Sequence, residues 1–116
     1  MEYCLITVAE TRTFRRKVVQ LLTELENAEL IAYLSMHPGA GVVIKGTGGI
    51  RKLRWSRTGR GKSGGVRVVY YFHSLHMPLY LLTVFGKNEK ANLSMKDKIE
   101  LSRSVKELVR LWSQRR

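Results

Sequence analysis

Val66-Arg67-Val68-Val69-Tyr70-Tyr71-Phe72-His73, a break at His76-Met77-Pro78, then Leu79-Tyr80-Leu81-Leu82-Thr83-Val84-Phe85: this stretch decides the fold. β-Branched and aromatic residues fill both runs, and the proline between them marks a turn. Two neighbouring strands are predicted, Val66 to His73 and Leu79 to Phe85. The second is almost wholly apolar, so it belongs inside a sheet with both faces covered. Upstream, Ile50 to Trp55 alternates between Ile50/Lys52/Arg54 and Arg51/Leu53/Trp55, the pattern of a half-buried strand. Ser56 to Gly65, rich in glycine and serine, predicts a basic hairpin loop between that strand and Val66.

Helical periodicity appears on either side of these strands. After a short first strand, Tyr3 to Val8, Glu10 and Thr11 open a helix. Phe14, Val18, Leu21 and Leu25 recur along it at spacings of four, three and four. A second helix, Ala28 to Met36, carries Leu30, Ile31 and Leu34 and is stopped by Pro38 and Gly39. Gly39, Gly41, Gly46, Gly48 and Gly49 then make a turn-rich approach to Ile50. At the other end, Ser94 is an N-cap with Asp97 three residues on. The helix it opens presents Leu101, Val105, Leu108 and Trp112 on one face. The expected architecture is an α/β (α+β) domain over residues 1–116. An antiparallel sheet carries two N-terminal helices, and a C-terminal helix completes it.

The charge is as patterned as the hydropathy. The chain holds 21 Lys and Arg against 9 Asp and Glu, a net charge of +12. Between Glu29 and Glu89 there is no acid at all, yet Lys45, Arg51, Lys52, Arg54, Arg57, Arg60, Lys62, Arg67 and Lys87 lie there. Solvated surfaces usually mix both signs, so a block this pure points to a polyanion: nucleic acid first, an anionic membrane second. No apolar run approaches the ~20 residues of a membrane span, and the first residues do not form a signal peptide. Cys4, the single cysteine, leaves no internal disulfide and fits a reducing cytoplasm. It reads as a small strand residue rather than a nucleophile.

Within the basic block, Lys52 and Arg54 share one face of their strand, and Arg67 begins the next across the loop bearing Arg57, Arg60 and Lys62. If the strands pair, these cations converge with Lys87 and Lys90 around successive phosphates. Tyr70, Tyr71 and His73 lie close by, and one of the adjacent tyrosines can offer its ring to an unpaired base. His37, His73 and His76 lack metal-ligand spacing with acids, so no metal or other cofactor is expected. Gly61-Lys62-Ser63 imitates the end of a phosphate-binding loop. Its glycine spacing is wrong, however, and a strand follows where a helix is needed.

Three runs carry a resemblance. They are Gly48-Gly49-Ile50-Arg51-Lys52-Leu53-Arg54-Trp55, Gly61 through Tyr71, and Leu82-Thr83-Val84-Phe85-Gly86-Lys87-Asn88-Glu89-Lys90. Together they resemble the RelE/HigB group of type II toxins, in an order of helices and strands that spans nearly the whole chain. The resemblance implies a ribosome-dependent messenger RNA endonuclease, neutralised by a cognate antitoxin. Arg67 matches the family's arginine that binds the scissile phosphate. Lys52 and Arg54 match a pair of alternating basic residues one strand earlier, and Lys87 and Lys90 fall on basic positions after the family's glycine. Asn88 stands where some members have arginine and Ser94 where they have tyrosine, which implies a HigB-like rather than a RelE-like site. Arg67, Lys87 and Lys90 are thus the expected catalytic residues, with Lys52 or Lys90 as the base. Lys52, Arg54, Arg57, Arg60 and Lys62 are expected to bind messenger and ribosomal RNA. There are two other readings. A ParE-type toxin shares this architecture but acts on DNA gyrase and is not expected to need the Lys52, Arg54 and Arg67 set. In a non-catalytic RNA-binding module the same cations bind RNA without cutting it.

Overall fold

The computed structural model describes residues 5–57, 61–87, 89 and 92–114, with residues 57 and 61–64 described by their backbone alone. Five strands form one sheet: β1 (Val8–Glu10), β2 (Val42–Val43), β3 (Ile50–Arg57), β4 (Gly61–Tyr71) and β5 (Leu79–Gly86), in the order β1-β5-β4-β3-β2. The neighbours from β2 to β5 are antiparallel, and β1 joins β5 in parallel at the edge. The helices are α1 (Arg12–Val18), α2 (Glu24–Met36) and α3 (Met95–Ser113). No helix among the described residues is long and apolar enough to cross a membrane.

The sheet separates two cores. On one face Phe14, Val18 and Leu22 from α1 and its end, with Leu30 and Leu34 from α2, pack on Val66, Val68, Tyr70, Leu79, Leu81 and Val84. On the other, Leu101, Val105, Leu108, Val109 and Trp112 of α3 cover Ile50, Val69, Tyr71, Leu82 and Phe85. β5 is buried along nearly its whole length, as its apolar run predicts. A register shift between Val69 and Tyr70 leaves Leu82 without a partner, since Val69 pairs with Thr83 and Tyr70 with Leu81. Such a bulge resets the side-chain alternation. Leu82 and Thr83 therefore both line the α3 side, while Val84 and Phe85 return to opposite faces.

Helix ends follow local chemistry. Ser94 and Asp97 form the predicted capping box of α3. Thr23 and Glu26 form a second one that starts α2 four residues before the expected Ala28. This cap divides the proposed stripe: Leu25 belongs to α2, not α1, and is 69 % exposed. The first strand also differs from expectation, occupying Val8–Glu10 rather than Tyr3 to Val8, because Leu79 and Tyr80 pair with Val8 and Ala9. Tyr3 and Cys4 lie outside the described residues. The basic hairpin is tighter than Ser56 to Gly65: β3 runs on to Arg57 and β4 begins at Gly61, with Arg57 paired to Gly61. β2, which glycine-rich surroundings concealed, pairs its two exposed valines with Lys52 and Arg51.

Candidate nucleic-acid interface

On the α3 side of the sheet, the apolar cluster beneath the helix and the cations share one face. Along β4, Arg67, Val69 and Tyr71 point to this face; along β3, Ile50, Lys52 and Arg54 do. Ile50 pairs with Tyr71 and Lys52 with Val69, which places the apolar end beneath α3. At the other end Arg54 lies directly opposite Arg67. On the far side of Arg67 stands Phe85, its partner on β5, and Lys87 follows two residues later. The predicted convergence of Lys52, Arg54, Arg67 and Lys87 is therefore a consequence of strand register.

Arg67 is only 8 % exposed, whereas Arg54 and Lys87 are exposed and Lys52 is half-buried. Burial, and then the charge of Arg54, hold the Arg67 guanidinium below its ordinary proton affinity. Arginine stays cationic all the same. Among the described residues the ion pairs seen are Lys17 with Glu89 and Arg110 with Glu107, and neither involves Arg67 or Arg54. A buried cation facing a second cation is costly without a partner anion. The arrangement is one that a phosphate would complete, since a guanidinium fork matches two phosphate oxygens.

Lys52 reaches sideways as well: its Nζ donates to Asn92 Oδ1 at 2.9 Å, from β3 to the segment before α3. Sequence reading missed Asn92, because a polar residue in a polar loop carries no signal of its partner. Lys90 and Arg60 lie outside the described residues, as do the side chains of Arg57 and Lys62. Arg51, part of the basic run, turns to the opposite face, where its Nη1 donates to the carbonyls of Gly39 (3.2 Å) and Gly41 (2.8 Å). It ties the α2–β2 connection to the sheet.

Neither tyrosine serves as a stacking surface. Tyr70 is fully buried; its hydroxyl donates to Pro38 O at 2.9 Å and accepts from Gly41 N at 2.7 Å. Tyr71 does share Arg67's face, but α3 covers it, and its hydroxyl meets His73 Nδ1 at 3.1 Å. His73 is six residues from Arg67, roughly 20 Å along a strand. Trp112 is a core anchor, donating from Nε1 to Tyr80 Oη at 2.9 Å.

A groove of about 530 Å³ between α1 and α3 is lined by Asp97, Glu100 and Glu107 over a floor of Leu82, Leu93, Leu101 and Leu108. Its three acids outnumber the one lysine beside them, Lys17, so the groove suits a polyanion less well than the cationic end of the sheet does. Among the described residues no cluster of His, Cys, Asp and Glu is arranged to hold a metal ion.

The family model described as RelE toxin of the RelE/RelB toxin–antitoxin system matches residues 8–115. That span opens on β1 and closes just beyond α3, so it takes in every strand and helix of the fold. The chain belongs to the RelE toxin family: it is a toxin of a toxin–antitoxin system, and the family implies a RelB-type antitoxin as its partner.

Proposed function

We propose that this toxin is a ribosome-dependent endonuclease of messenger RNA, acting as one domain through the cationic end of its sheet. The observation that carries the reading is Arg67: more than nine-tenths buried, opposite Arg54, and facing no carboxylate among the described residues. In the proposed reaction the RNA 2′-oxygen forms a bond to the adjacent phosphorus and the bond from phosphorus to the 5′-oxygen breaks. The products are a 2′,3′-cyclic phosphate and a 5′-hydroxyl, the proton lost at O2′ being balanced by one gained at O5′. Arg67 and Lys87 stabilise charge on the non-bridging oxygens as it grows, the kind of preorganised electrostatics that dominates phosphoryl chemistry. Lys90, in the same loop as Lys87, supports this centre, and Lys52 or Lys90 takes the proton. Arg54 holds a flanking phosphate, and so does the Lys52 ammonium where Lys90 is the base. Arg57, Arg60 and Lys62, on the β3–β4 hairpin, dock on ribosomal RNA.

Asn88 and Ser94 give the loop a HigB-like character, in which arginine and tyrosine do not share the work. Translating ribosomes as the target place the protein in the cytoplasm. A cognate antitoxin rich in Asp and Glu would complement this basic face.

Primer extension on a defined messenger RNA in a purified translation system tests the proposal. New 5′ ends inside the reading frame are expected only with ribosomes present, and Arg67→Ala should remove them while ribosome binding persists. Intact RNA in every lane, or equal loss of binding and cleavage in the variant, overturns it. The gyrase reading would then be tested by DNA supercoiling.

A further inference from the structure

The segment between β5 and α3 is fastened at separate points to two different elements. From α1, Lys17 Nζ lies 4.0 Å from Glu89 Oε2. From β3, Lys52 Nζ donates to Asn92 Oδ1 at 2.9 Å. Leu93 next to it is buried in the α3 core, and Ser94 begins the capping box. At the start of the segment Glu89 N donates to Gly86 O at 3.1 Å, a tight turn around exposed Lys87. On the side nearest the cationic site, the polar contact seen among the described residues is the one from Lys52 to Asn92, and its donor is itself one of the site's cations.

We infer that Asn92 is a positioning residue, clipping the β5–α3 segment to Lys52 so that Lys87 and the Lys52 ammonium keep fixed places beside Arg67. This rests on the endonuclease reading. An ammonium has three donors in a flexible stem. Bonding one of them to the neutral amide oxygen of Asn92 restrains the stem without cancelling its charge, and leaves the other two for phosphate. A carboxylate at the same place would hold the lysine more strongly, but would set a negative charge against the substrate.

Two measurements on the full-length chain test the clip. Single-turnover cleavage on programmed ribosomes should fall about three- to tenfold in Asn92→Ala, the size of one lost hydrogen bond, with binding unchanged. The same substitution should have no further effect in a Lys52→Ala background, because the partner it acts through is gone. Independently of activity, trypsin should cut after Lys87 several times faster in Asn92→Ala and in Lys52→Ala than in the native protein, and Asn92→Asp should restore protection. Native cleavage and native trypsin resistance in Asn92→Ala overturn the inference, as does an effect of equal size in both backgrounds. If the native protein cuts no RNA, the endonuclease reading fails, and the trypsin series still decides whether Asn92 clips Lys52.

Discussion

Tyr71 and Arg67 lie four residues apart on the same face of β4, and their surroundings differ in kind. Tyr71 is roofed by α3, in contact with an apolar cluster built from Ile50, Leu82 and Val105. Arg67 is almost as deeply set, yet its cross-strand neighbours are Arg54 and Phe85, and no acid answers it among the described residues. Burial alone therefore does not distinguish the two ends of the face. What separates them is what each buried group meets among the described residues: an apolar cluster for Tyr71, a second cation for Arg67. An apolar group buried among apolar neighbours contributes stability, whereas a cation set against a cation costs it unless an anion joins them.

Arg67→Met should open the widest gap between the two ends. Cleavage is expected to fall by ~100- to ~1,000-fold, as when one electrostatic stabiliser is removed from an active site. Urea denaturation should show stability unchanged or raised, because a buried charge that meets no carboxylate among the described residues has been replaced by an apolar chain. A large loss of stability would mean that Arg67 is structural, and the comparison would collapse.

Leu34→Ala probes the fully apolar face beneath α2, where Leu34 has no exposed surface. A loss of about 2–5 kcal/mol is expected by denaturant titration, with cleavage per folded molecule unchanged. Reduced activity in the folded fraction would show that the faces are coupled.

Gly41→Ala addresses the junction of the α2–β2 connection with the sheet. A Cβ there would come within 2.8 Å of the Tyr70 ring and 3.0 Å of Lys52 O. The expected cost is about 1–3 kcal/mol, measured as a lowered melting temperature.

Tyr70→Phe is the mildest change and sharpens the contrast through pH. Burial pushes the Tyr70 hydroxyl above its ordinary value of 10.0, and Tyr71 moves the same way. Below about pH 10 both folded and unfolded chains keep the proton, and the contribution is whole. Above it the unfolded chain releases its proton first, so stability declines as pH rises towards the folded values. The variant should lose about 1 kcal/mol at neutral pH from its missing hydrogen bonds and show a shallower alkaline decline. An alkaline limb as steep as the native one would place the titration elsewhere.

Much of this molecule was legible along the chain, for reasons that can be named. β5 announced itself because an unbroken apolar run can only be buried on both faces, and α3 because Ser94, Asp97 and a stripe of apolar residues agree on where it starts and which side it buries. The convergence of Lys52, Arg54 and Arg67 followed from two-residue alternation plus one hairpin. Other features left no local trace. The cap at Thr23 outweighed the continuous stripe through Leu25, since two satisfied backbone donors fix a helix start more firmly than one more leucine fixes a face. The bulge at Leu82 is invisible in a run that shows no polar–apolar alternation, and so is the parallel pairing of β1.

By itself, then, the sequence determined the types of the longer elements, the segregation of charge and the set of cations on one side of β3 and β4, because period and propensity act over a few neighbouring residues. Only the tertiary structure decided that Arg67 is set between Arg54 and Phe85, that Tyr71 is spent on the core, that Arg51 turns away to the Gly39 and Gly41 carbonyls, and that Lys52 is joined to Asn92. Each of those outcomes depends on a partner 10 or more residues away, and no local pattern encodes where a distant residue will be brought to rest.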